Sequence, residues 1–210
     1  MSLPATVRRP VLADLVARPG GRTRAFAVDA ALVVTGAALV ALLAQIEVPL
    51  WPVPITGQTL GVVVVGAALG ARRGAAALTT YLLAGLLGLP VFAGFTGTLA
   101  AVAKPSFGFI IGFVFAAFVA GWFAERAWDR KPLLAFIGFV LASAIPFVFG
   151  IPYMALILNV IGGGSYGVDE ILAFGLWPFI VGGLVKAAIA AVLIPAAWAG
   201  VRAADRRKHD

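Results

Sequence analysis

The chain of 210 residues is 62% apolar and only 12% charged, with a mean hydropathy of +1.04. A soluble domain carries about twice that charged fraction, so the composition excludes a soluble globular protein and indicates a single integral membrane domain. The absence of cysteine excludes disulfides and thiolate metal sites, and a net charge of +7 raises the question of where the basic residues sit.

Residues 1–28 are polar, contain Arg8, Arg9, Arg18, Arg22 and Arg24, and lack the apolar core and small-residue cleavage site of a signal peptide. They predict a cytoplasmic tail ahead of a first membrane helix that acts as the targeting signal. Apolar runs at 29–46, 58–71, 74–92, 107–124, 133–158 and 178–200 predict an all-α membrane domain of six transmembrane helices over 29–200, with a second cytoplasmic tail at 201–210. The third, fourth and sixth runs are long enough alone for a crossing of roughly 20 residues. The fifth contains Pro146 and Pro152, which are expected to kink or divide it. Fourteen of the sixteen Lys and Arg fall before the first run, after the sixth, or in alternate connections; only Lys104 and Lys186 do not. By the positive-inside rule that face is cytoplasmic and carries both termini. The basicity therefore reads as orientation signal and contact with anionic membrane lipid, not as nucleic-acid binding.

The second run is short. From Gln58 to Gly70 it rises roughly 20 Å as helix against a hydrocarbon core of about 30 Å. Before it stands Pro49-Leu50-Trp51-Pro52-Val53-Pro54-Ile55-Thr56-Gly57-Gln58-Thr59, whose prolines forbid a continuous helix. Non-helical backbone at membrane depth survives where it is buried in protein or lines a cavity. This Pro-rich loop is thus expected to dip into the membrane and to wall a pocket. With 93–106 and 159–177 it forms a set of external connections rich in Gly, Pro, Thr and aromatics, suited to folding down as a lid. No internal repeat supports an inverted-repeat secondary transporter.

Lys186 is the most informative polar residue. It lies about 12 Å into the last helix from Pro178 and about 24 Å from Arg202, too deep to snorkel inward. An ammonium at that depth either snorkels outward with no ligand role or faces a cavity or a partner. No intramembrane carboxylate competes for it, so it reads as an unpaired anchor for an anionic ligand group. Gln58 offers donors and an acceptor suited to a urea or amide edge, and also suits the loop-to-helix junction. Thr56 is a candidate contact, with backbone capping as the plainer role for it and Thr59. Tyr81 and Tyr153 either line a pocket or sit in the core with a satisfied hydroxyl. Asn159 is a ligand candidate or a helix end before Gly162-Gly163-Gly164. Trp51 and Trp177 suit an interfacial aromatic belt. Ala37 and Ala41 form a small-xxx-small pair that serves internal packing or docking of a partner protein.

Enzyme signatures are weak. Gly163-Gly164-Ser165-Tyr166-Gly167 matches a nucleophile elbow, but the sole histidine is His209 in the tail. There is no Walker lysine motif and no metal-ligand spacing. The residues describe a binder that draws on energy supplied elsewhere.

Four segments carry a family resemblance: Pro52-Val53-Pro54-Ile55-Thr56-Gly57-Gln58-Thr59-Leu60, Leu69-Gly70-Ala71-Arg72-Arg73-Gly74, the run from Tyr81 to Gly94, and Trp177-Pro178 through Lys186. Together they resemble the biotin-specific substrate-capture (S) components of energy-coupling factor (ECF) transporters, the BioY family. The resemblance implies six membrane helices, a bacterial cell-membrane location, and a biotin pocket open to the outside. It also implies a transmembrane coupling protein with ATPase subunits as partners, docking at Ala37 and Ala41. Biotin is then the transported ligand, with no cofactor. Two positions depart from the family pattern. An acid three residues before the helix-six lysine is here Gly183, and a Gly-Pro-Thr-Gly-Gly-Tyr pattern is here Lys104-Pro105-Ser106-Phe107-Gly108-Phe109. A stand-alone facilitator and a capture subunit for another small vitamin remain the rival readings.

Overall fold

The computed structural model describes residues 8–15 and 21–206. Among these described residues it is a bundle of seven α-helices: α1 (Arg22–Ala44), α2 (Gln58–Leu69), α3 (Ala71–Leu86), α4 (Phe107–Ala124), α5 (Pro132–Ala155), α6 (Val168–Gly175) and α7 (Trp177–Arg206). Among the described residues, four helical stretches are long and apolar enough to cross a membrane: Arg22–Ala44, Phe107–Ala124, Pro132–Ile161 and Val168–Ala204. α2, at 12 residues, is a shorter apolar helix. α3 has 16 residues and begins with Arg72 and Arg73 in its first turn.

Several boundaries differ from those expected, each for a local reason. α1 begins at Arg22 rather than at 29, because nothing in 22–28 breaks a helix. α3 ends at Leu86, not at 92: Gly88 turns the backbone to φ +101 and Pro90 follows, so the helix cannot continue. α5 runs undivided through both prolines and continues as a π-helical turn, Leu156–Ile161. Glycines on α4 receive the crowded face: a Cβ on Gly112 would sit 2.6 Å from the Cα of Pro146. The third external connection is not only loop. It holds α6, whose start is fixed by the Glu170 carboxylate accepting the Gly167 N–H at 2.8 Å. The all-helical reading also gains one short hairpin: β1 (Glu47–Val48) pairs antiparallel with β2 (Ile55–Thr56) across the Pro-rich turn.

Small residues set how closely the helices approach, as expected where apolar solvent supplies no hydrophobic drive between helices. Gly66 on α2 and Gly121 on α4 leave no room for a Cβ: at Gly66 it would meet the Ala117 backbone, and at Gly121 that of Gly70 and Ala71. On α1, Gly36 abuts Val65, Leu69 and Ala77. Ala37 is buried and Ala41 half-buried against the same core. Of the pair expected for internal packing or docking, Ala37 is taken up by the chain's own packing and Ala41 is only half-covered, while Ala38 between them is exposed.

One end of the bundle gathers the α2–α3 and α4–α5 connections, residues 8–15, and the last turns of α7. Val11 is fully buried there. Arg9 N–H donates to the Glu125 carbonyl at 2.9 Å and Arg130 to the Pro10 carbonyl at 2.9 Å. Arg8 pairs with Glu125, and Arg73 bridges Asp14 (2.7 Å) and Asp29 (2.8 Å). Asp129, 1% exposed, accepts the Trp198 indole N–H at 2.6 Å. The residues 207–210, including His209, lie outside the described part, as do 1–7 and 16–20.

Candidate ligand-binding site

At the opposite end the helices part around a cavity of about 410 Å³, within the range of small-molecule sites. The hairpin supplies one wall through Trp51, Pro52, Val53, Pro54 and Thr56; α2 contributes Gln58 and Thr59; α4 and α5 contribute Phe109, Phe113, Pro146 and Phe147; α7 contributes Phe179, Gly183 and Lys186. Phe109, Phe147 and Phe179 meet one another with ring centroids 5.8 to 6.3 Å apart, forming an aromatic flank. Glu47, Thr96, Lys104, Ser106 and Ser143 complete a sparse polar lining.

Lys186 and Gln58 share this hollow, as their sequence positions predict. The Lys186 ammonium is not free of contacts: Nζ donates to the Thr56 carbonyl at 2.6 Å. The contact is informative about depth. The Lys186 Cα lies nine positions beyond Trp177, about 13 Å along α7, so even with the side chain leaning toward the helix start the hairpin enters the bundle below that start. Among the described residues, Lys186 forms no ion pair, and an ammonium has three donors. It therefore offers further N–H groups to a ligand anion.

Gln58 is held from both sides. Its Oε1 accepts the Thr56 hydroxyl at 2.7 Å, its Nε2 donates to the Tyr81 hydroxyl at 2.6 Å, and its own backbone N–H reaches the Thr56 hydroxyl at 3.3 Å. Thr56 thus caps and orients, as the plainer reading had it, while its carbonyl tethers Lys186. Tyr81 is 1% exposed and stands behind Gln58, edge-on to Phe92 at 5.4 Å, rather than on the cavity surface.

Tyr153 and Asn159 are likewise not in the wall. The Tyr153 hydroxyl donates to the Val102 carbonyl at 2.5 Å, and the Asn159 amide exchanges two hydrogen bonds with the Tyr166 backbone, at 3.0 and 2.8 Å. Each ties down an external loop. Gln45, unremarked in the sequence, does the same: it donates to the Phe92 carbonyl at 3.2 Å and accepts the Phe95 N–H at 2.9 Å. A polar side chain ending an apolar run was its available signal. The aromatic flank also escaped sequence reading, because 15 phenylalanines in an apolar chain give no sign of which ones meet. Trp51 does more than sit in an interfacial belt. It lines the cavity and packs edge-on to Phe174 of α6 at 5.4 Å, joining the hairpin to the third loop.

Comparison with known proteins bears directly on this arrangement. A profile described as the BioY family matches residues 16–203. A protein of Rhizobium etli named "Biotin transporter BioY" is 40% identical over 167 residues, covering 76% of this chain and 85% of its own. A "Probable biotin transporter BioY" of Pyrococcus horikoshii is 32% identical over 165 residues, covering 79% and 93%. The crystal structure of "the S-component for biotin from an ECF-type ABC transporter" superposes with a TM-score of 0.67 at 23% identity, over 85% of this chain and 94% of that one, which establishes a shared fold. On the extent of the profile match and the identity to these relatives, the chain belongs to the BioY family.

Proposed function

We propose that this protein captures biotin from outside the cell and delivers it as the substrate-binding subunit of an ECF-type transporter. The protein is a multi-pass membrane protein by its family and its apolar helices. The observation that carries the reading is the shared hollow: an ammonium in the bundle, a fixed carboxamide and an aromatic flank enclose one space. Biotin matches that set, with a carboxylate for a cation, a ureido edge for amide-type partners and an apolar bicycle for aromatic rings. In this reading Lys186 receives the carboxylate through N–H groups not used on Thr56. Gln58, kept in one orientation by Thr56 and Tyr81, presents its remaining amide N–H. Tyr153 and Asn159 act at one remove by holding the loops that form the mouth.

Six crossings, with the cavity outward and both termini cytoplasmic, account for the arrangement best. The paired, arginine-rich end holds the basic connections, and the hairpin supplies depth that α2 lacks. A transmembrane coupling protein with cytoplasmic ATPases would provide the energy, since the chain has no nucleotide motif of its own. Its approach to α1 would use the outward side, at exposed Ala38 and half-buried Ala41, because Ala37 is already covered.

Isothermal titration of the purified protein with biotin, thiamine and riboflavin tests the ligand: saturable heat with biotin alone is expected, and preference for another vitamin would overturn the reading. Uptake by liposomes with and without coupling and ATPase subunits tests the transport role. Full uptake without them would favour a stand-alone facilitator.

A further inference from the structure

Between α5 and α7 the wall of the cavity is thin, formed by the Phe147–Phe179 ring pair with Ser143 and Gly183 beside it. A second hollow of about 170 Å³ lies there and shares Ser143, Phe147, Phe179 and Gly183 with the main cavity. Val140, Ala144, Leu176, Ile180 and Leu184 line this groove alone. Ala144, Ile180 and Leu184 are exposed on the outside of the bundle, so the groove opens to the surface that lipid would cover and shares its inner wall with the cavity. Gly183 stands at the junction. A Cβ built there meets no heavy atom within 4 Å; the gap is a missing side chain, not a space closed by neighbours. On a helix, residues three apart share a face, so Lys186 lies beside this gap. Glycine leaves it open, and Lys186 makes no ion pair among the described residues.

From this juxtaposition we propose that the site also binds straight-chain monocarboxylic acids of medium length, with the carboxylate on Lys186 and the alkyl chain passing Gly183 into the α5–α7 groove. The proposal rests on the preceding section only in taking Lys186 as the seat of a carboxylate. The charge complementarity is specific: a cation at the inner end, a groove whose one polar side chain is Ser143, and an exit into hydrocarbon. Each methylene moved from water into such a groove raises affinity roughly fourfold. Within the medium-length range, longer chains therefore bind more tightly.

The test is displacement of labelled biotin from the full chain in phosphatidylcholine nanodiscs by octanoate, decanoate and decanol. Decanoate displaces biotin, octanoate does so about tenfold or more weakly, and neutral decanol does not. Ala144→Phe fills the groove from a position outside the main cavity. It weakens decanoate at least tenfold and leaves biotin within about threefold. Gly183→Asp weakens decanoate as well. Failure of decanoate to displace bound biotin, or equal displacement in wild type and Ala144→Phe, overturns the proposal while leaving biotin capture intact. If the wild type binds no biotin, that reading fails by itself, and direct calorimetry with decanoate decides the port: heat abolished by Ala144→Phe supports it, and no heat overturns it.

Discussion

The two ends of the bundle treat charge in opposite ways. At the end holding residues 8–15, Arg8, Arg73, Asp14, Asp29 and Glu125 answer one another, and Glu125 also accepts the Ala71 N–H at 2.9 Å. At the cavity end, Glu47, Lys104 and Lys186 line one space and, among the described residues, none forms an ion pair. Two glycines differ as sharply: a Cβ at Gly121 would strike the α2–α3 turn, whereas one at Gly183, in the cavity wall, meets nothing. Charges that already have partners and glycines in tight contact build structure. Charges left with spare donors beside open space are available to a ligand.

The strongest way to break this contrast is to swap the glycine tests. Gly121→Val forces side-chain atoms onto the backbone of Gly70 and Ala71, with no flexible group to yield, and should destabilise by more than about 4 kcal/mol. The expected result is no monodisperse protein in detergent. Gly183→Val should purify normally, because its Cβ enters open space. Equal behaviour of the two variants would erase the structural distinction between these two positions.

Next in size is Lys186→Ala. Loss of the ammonium removes the proposed seat for the carboxylate and the tether to Thr56, so biotin affinity should fall at least tenfold, about 1.4 kcal/mol or more. Unchanged calorimetric affinity in a folded variant would move the anion site elsewhere, with Lys104 the remaining cation in the wall.

Much of this division was legible beforehand. Charge placement along the chain separates the ends, and the Pro-rich segment beside a short helix announces a loop that must be covered by protein. Depth along one helix singles out Lys186. What could not be read was pairing across the chain. Tyr81, Tyr153 and Asn159 were each open to a ligand contact or a structural role, and each has found a partner 23, 51 or 7 residues away. Whether a buried hydroxyl faces a cavity or a neighbouring carbonyl depends on rotations of whole helices, which hydropathy does not fix. The inward turn of Ala37 is the same lesson, since a small-xxx-small spacing specifies close approach but not to which neighbour.

A smaller effect separates stability from binding at the paired end. Arg73→Leu strands Asp14 and Asp29 together, and Arg73 is only 20% exposed. Between the values for exposed and buried pairs, the loss should be about 1–2 kcal/mol, seen as a lower unfolding temperature with biotin affinity per folded molecule unchanged. A parallel loss of affinity would mean that the two ends are coupled.

The smallest expected effect concerns pH at that same end. Asp129 is buried, and burial pushes its carboxyl above the ordinary value, against the pull of the Trp198 N–H and the nearby Arg130 charge. Its Oδ1 is buried without a hydrogen-bond partner. A carboxyl with a raised folded value favours the protonated form on folding. Its contribution is thus full below the unfolded value of about 3.9 and is lost as pH rises through the raised one. Asp14 has the opposite sign. Burial works against its ionisation, but the Val11 N–H and the Arg73 guanidinium outweigh it and hold the carboxyl below its ordinary value, so its contribution is lost as pH falls. Asp129→Asn keeps an acceptor for Trp198 and cannot ionise. Relative to wild type, the variant should gain stability as pH rises above about 4, by an amount on the order of 1 kcal/mol or less, and the difference should level off once the native carboxyl is ionised. Asp14→Asn should instead lose ground to wild type over the acidic range in which the native carboxyl becomes ionised. If the Asp129→Asn difference is flat with pH, the buried carboxyl does not titrate separately from its unfolded form, and the paired end would owe its pH response to Asp14 and its arginines alone.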